Sequence, residues 1–167
     1  MEEMLKLAAR ARVMDELMAD GVNVALPVGA CDIDLLAFVE SRTAPCGLVF
    51  VPIQIVVVLH EDELSRNLEG ARASGVLIAL VWDIGKSAPI RSFALTSAEL
   101  ALVKMIDLTD GADAERAHTR TDPLAARESV LQTAIEPFAM SPGKWCKKLK
   151  AIIARKQETK SGELLGY

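Results

Sequence analysis

Apolar residues recur at Met4, Leu7, Ala11, Met14 and Met18, three and four positions apart, and this spacing predicts an amphipathic helix from Glu2 to Asp20 that Gly21 stops. Two short β-rich runs follow, 22–27 and 33–39, joined by the tight connection 28–32. A third run, 50–59, is apolar on both of its alternating faces, so it belongs in the middle of a sheet with helices over both sides. Leu64, Leu68 and Ala71 then mark a helix over 62–73 that ends at Gly75, and 76–83 reads as a fourth strand.

Beyond it, 85–89 reads as a turn and 91–95 as an edge strand, and Thr96 or Ser97 caps a short helix lined by Leu100, Val103 and Ile106. The polar stretch 107–121 is expected to be a surface loop. Asp122-Pro123 and Ser141-Pro142 each place proline at a helix start, the second ahead of Trp145, Leu149, Ile152 and Ile153, with fraying expected after Glu158. The order of helix, three strands, helix, strand and appended elements predicts an α/β sandwich around a mixed sheet with additional C-terminal helices. Residues 1–106 form the expected α/β core, 107–121 the loop, and 122–167 a helical extension packed on the same domain.

Composition narrows the functions open to such a fold. At 167 residues the chain suits one domain with a substantial core. An aromatic fraction of 4 % leaves few stacking platforms for exposed bases, and a net charge of -4 carries no global signature of nucleic-acid binding. Any contact with DNA must therefore come from locally clustered charge. Cys31, Cys46 and Cys146 lack CxxC spacing, which argues for reduced thiols rather than a disulfide framework or zinc ribbon. The N-terminus has no uninterrupted apolar signal region, and the longest apolar run, 48–59, is interrupted by Pro52 and Gln54 and too short to span a bilayer. The expected setting is the cytoplasm, with no membrane partner and no motif that nominates a small-molecule cofactor.

Charge is segregated along the chain. Between Ser141 and Lys160 seven basic residues face the single acid Glu158, leaving the remainder strongly acidic. Lys144, Lys147, Lys148 and Arg155 are the candidate nucleic-acid contacts on this segment, although a solvated basic face or a dock for an acidic surface gives the same pattern. Trp145, at helical spacing with Leu149 and Ile152, reads as a core anchor. His60 before Glu61 and Asp62 reads as a strand-end polar run rather than a weak metal cluster, His118 lacks companions, and Cys31 has no positioned histidine to act as its base.

The phrase Gly29-Ala30-Cys31-Asp32-Ile33-Asp34-Leu35-Leu36-Ala37-Phe38 puts an acid at the head of a buried strand, and Pro52-Ile53-Gln54-Ile55-Val56-Val57 follows on the next. From Ala9 to about Asp83 the chain resembles the PD-(D/E)XK nuclease superfamily, in particular Holliday-junction resolvases and the homing-endonuclease-like group. There a helix ending in an LxxxGxxV pattern precedes a DxDLLA-type strand and an (E/Q)VK-type strand. The resemblance implies a restriction-endonuclease-like sandwich in which acids on adjacent strands hold Mg²⁺ and a lysine orients the attacking water. It assigns Asp34 and Gln54 the catalytic, metal-binding positions. It also implies a lysine where this chain has Val56, and an acid on the first helix in the register that falls here on Arg10.

Losing one positioned charge stabiliser typically costs a factor of about 10² to 10³ in rate, and two such groups are replaced here. The resemblance therefore implies a catalytically degenerate nuclease-like domain retained for nucleic-acid binding or assembly, with DNA and a second copy of the chain as expected partners. Two alternatives stand beside it. One is an active Mg²⁺-dependent endonuclease with a migrated cation, Arg66, Arg72 or Lys86; the other is a non-enzymatic homo-oligomeric interaction domain, which suits an isoelectric point near 5.3.

Overall fold

The structure, a computed structural model, describes residues 2–28, 32–41, 47–59, 75–84, 88–103, 105 and 133–163, excepting the side chains of 158–163. The expected helix 62–73, the loop 107–121 and the helix start at Asp122-Pro123 lie outside these residues. So do Cys31, Cys46, His60, Arg66, Arg72, Lys86, Ile106 and His118.

Helix α1 (Glu2–Ala19) leads through Gly21, at φ 74°, into β1 (Asn23–Ala25), β2 (Leu35–Glu40) and β3 (Leu48–Val58). Strands β4 (Leu77–Trp82) and β5 (Arg91–Leu95) follow, then a helical turn over 97–103 (α2), a 3₁₀ turn at Glu136–Phe138 and the C-terminal helix α3 (Lys144–Glu163). The five strands form one mixed sheet in the order β1-β2-β3-β4-β5, with β3 central as its two-sided apolar pattern requires. All neighbours are antiparallel except β3 and β4, which run parallel with Ile53 opposite Leu77 and Val58 opposite Trp82. The chain is thus α/β with helices on both faces of a mixed sheet. Among the described residues no helix is long and apolar enough to cross a membrane.

Strand alternation divides the core into two layers. On one face Leu35, Ala37, Ile53, Ile55, Leu77 and Ala79 meet α1 and α3; on the other Val56, Val58, Ile78, Leu80, Phe93 and Leu95 meet Leu100 and Val103 of α2 and Ile135. The edge strand β5 is buried from Ser92 to Leu95 because its free side is closed by a bridge from Phe93 to Ala139 and by the Met140 N–H on the Ser92 carbonyl.

Helix α1 buries a different stripe from the one its Met and Leu spacing suggests. Ala9, Val13 and Leu17, four apart, are fully buried, whereas Met4, Leu7 and Met18 are exposed. The helix carries two apolar stripes, and the stripe of smaller, β-branched and Leu residues fits closer to the sheet. Helix α3 also differs, starting one residue after Gly143 and running to Glu163, past the fraying expected after Glu158.

The docking of α3 onto α1 is polar as well as apolar. Asp20, at the C-terminal end of α1, accepts from the Gly143 N–H through Oδ1 and from the Trp145 N–H through Oδ2, supplying from a distant segment the cap that α3 lacks in its own sequence. Trp145 is 1 % exposed and donates its indole Nε1–H to Glu16 Oε2 at 2.9 Å. Glu16 Oε1 in turn accepts from Arg12 Nε at 2.7 Å and Ser92 Oγ at 3.0 Å. Trp145 is the core anchor its spacing indicates, and its indole is closed to base stacking.

Candidate functional site

Asp34 lies one residue before β2, yet its N–H donates to the Ile53 carbonyl at 2.9 Å, so the chain is already in register with β3 there. Its side chain folds back onto the same strand, where Oδ2 accepts the Ile55 N–H at 2.8 Å. The carboxylate is 5 % exposed, and a buried anion needs partners. It finds them on α1. Lys6 and Arg10 are four residues apart and therefore share a side of that helix. Lys6 Nζ lies 3.1 Å and Arg10 Nη2 3.2 Å from Asp34 Oδ1, with the side chains 48 % and 30 % exposed respectively. Position 10, where the resemblance implies an acid, lies beside Asp34 and carries a guanidinium. Arg10 Nε is enclosed and has no hydrogen-bond acceptor.

Gln54 takes a different place. It is half-buried in the middle of β3, opposite Ile78, and the two-residue pleat sets it on the face of Val56, away from Ile53 and Ile55, which pack under α1. Asp34 directs its carboxylate towards α1, so the structure joins Asp34 to Lys6 and Arg10 and does not join it to Gln54. Val56, at the position where the resemblance implies a lysine, is buried among apolar residues of the α2 face.

The basic helix α3 divides into engaged and outward-facing cations. Lys148 Nζ reaches both carboxylate oxygens of Glu99 at 2.6 Å and lies 5.3 Å from the Phe138 ring centroid, so it fastens α3 to α2. Glu99 also closes a capping box at the start of α2: it accepts the Thr96 N–H at 2.8 Å, and its own N–H donates to Thr96 Oγ1 at 3.3 Å. Burial raises the Glu99 pKa, but the bonds from Lys148 and Thr96 outweigh it and hold the carboxyl below the ordinary glutamate range. Lys144 donates to the Ala139 carbonyl at 3.0 Å and Arg155, though exposed, is also engaged, while the side chains of Lys147 and Lys150 face outward.

These groups do not fit the Mg²⁺ implied by the resemblance. A hard cation of that size takes an octahedron of oxygens, whereas Asp34 Oδ1 is covered by two cations and Oδ2 by an amide. Among the described residues there is no group of three or more His, Cys, Asp or Glu side chains able to hold a metal ion. The resemblance assigns Asp34, Gln54 and the position of Arg10 but not Lys6, whose signal in the sequence is its four-residue spacing from Arg10. Glu16 and Asp20 carry no comparable signal for their contacts with Trp145, which lies more than a hundred residues away.

No family model, curated protein or solved structure matches this chain at a significant level.

Proposed function

We propose that the chain is a nucleic-acid-binding domain of restriction-endonuclease-like architecture whose metal-dependent cleavage centre has been replaced by an ion-paired one. The observation that carries this reading is the Arg10 guanidinium on Asp34 at 3.2 Å. A cation there takes the lone pairs a metal would need. The order of α1, three antiparallel strands and a parallel fourth supports the architectural part. Burial of Val56 supports the loss of cleavage. The exposed Lys147 and Lys150 supply outward positive charge for phosphates, while Lys148 serves the fold.

The test is fluorescence anisotropy of labelled duplex and branched DNA across a salt series. Phosphate contacts release counterions, so log K falls against log salt with a slope of about -0.9 per contact. Lys147→Glu with Lys150→Glu should weaken binding and flatten that slope. Wild-type protein that leaves both DNAs unbound at low salt contradicts the reading.

Assembly with a second copy of the chain is the other reading, favoured by an apolar strip on the sheet. Phe50 is 59 % exposed, Leu48 is exposed nearby, and Phe38 lies opposite Phe50 on β2. Sedimentation of wild type and Phe50→Glu separates the two readings, since an interface there dissociates in the variant without change in salt dependence.

A further inference from the structure

We infer that Lys6 and Arg10 form an oxyanion site, built on Asp34, that takes a phosphate group without a divalent metal. The inference rests on the nucleic-acid reading only for the source of that phosphate; the site itself stands on its geometry. Both cations approach the same oxygen of one carboxylate, so the cluster carries one positive charge more than it neutralises. The carboxylate lies beneath, with its other oxygen held by the Ile55 N–H, and the cations stand on its outward side, both partly open to solvent.

Donor capacity points the same way. A guanidinium has five N–H groups and an ammonium three. Of these, Arg10 gives one to Asp34 and has an enclosed Nε that no arriving anion reaches, and Lys6 makes one contact, to the same carboxylate. Unspent donors on two cations held one helical turn apart suit a tetrahedral anion whose oxygens accept from both. Asp34 acts here as a positioning residue. It holds two long side chains in one place, reducing the ordering needed when an anion arrives.

The experiment follows the backbone amides of the full chain, Ile55 above all, by nuclear magnetic resonance as inorganic phosphate is added at constant ionic strength, with chloride as the control. Labelled duplex DNA is titrated in parallel in the presence of a chelator. Lys6→Met is the first variant because its side chain is half exposed and its loss leaves Arg10 on Asp34; Arg10→Lys is the second, keeping the charge and removing the fork. The site predicts a saturable shift at Ile55 with phosphate, abolished or greatly weakened in Lys6→Met. It also predicts about a tenfold loss of duplex affinity in that variant, with the salt slope reduced by about 1. Arg10→Lys should retain part of the phosphate response. Duplex binding unchanged in Lys6→Met but weakened by Lys147→Glu with Lys150→Glu overturns the site and leaves the nucleic-acid reading standing. A saturable phosphate response without duplex binding does the reverse. No response at Ile55 to phosphate overturns the site.

Discussion

Replacing Asp34 by alanine removes the acceptor for the Ile55 N–H and the shared counter-ion of Lys6 and Arg10. A buried amide left without an acceptor costs about 1–3 kcal/mol. The two ion pairs add less, because Lys6 is half exposed and Arg10 nearly a third exposed; about 0.5–1 kcal/mol each is the range for such pairs. The expected loss is therefore about 2–5 kcal/mol, which for a domain of this size lowers Tm by roughly 4–20 °C. Asp34→Asn keeps an oxygen for Ile55 and should lose only the two ion pairs, about 1–2 kcal/mol. Urea unfolding of the three proteins, with m held equal, measures both differences. The sign is informative, since a carboxylate kept for an ion that is not bound sits in strain and its removal stabilises. A neutral or stabilising Asp34→Ala substitution therefore refutes the view of Asp34 as the hub of an internal ion-pair cluster.

Other consequences follow from the packing. Trp145→Ala empties the largest fully buried side chain and releases Glu16, and should destabilise by about 3–5 kcal/mol in the same unfolding assay. Glu99 has a depressed pKa in the folded chain, so its contribution is complete above the unfolded-state value and is lost as pH falls through the folded one. Acid titration of stability should accordingly show a component below the ordinary glutamate range that disappears in Glu99→Gln. Val56→Lys restores the lysine implied by the resemblance but buries an ammonium on the apolar α2 face, costing about 3 kcal/mol or more at neutral pH. It should not create Mg²⁺-dependent nicking of supercoiled DNA, because Asp34 remains ion-paired; nicking by this variant contradicts the reading.

Periodicity located every described strand, and the two-sided apolar character of 50–59 was enough to place β3 at the centre of the sheet. These are local signals, carried by alternation within one segment. Which stripe of α1 faces the sheet was not legible, because Met4, Leu7 and Met18 satisfy helical spacing as well as Ala9, Val13 and Leu17 do. That choice is made by how closely the helix can approach its neighbours. The site was legible in part. Asp34 and Arg10 stand out through the resemblance, but the side to which the Asp34 carboxylate turns depends on the Ile55 N–H, and the fate of Lys148 depends on Glu99. The Asp20 cap on α3 belongs to the same class, with its two halves in contact only after α1 and α3 have docked.

The most direct test of an ion-paired, metal-independent nucleic-acid domain is one titration of labelled duplex DNA carried out in chelator and repeated in Mg²⁺, with strand integrity followed throughout. The account predicts equal affinity in the two conditions, apart from the ionic-strength effect of the added salt, and intact strands. Binding that requires Mg²⁺, or cleavage on its addition, contradicts it.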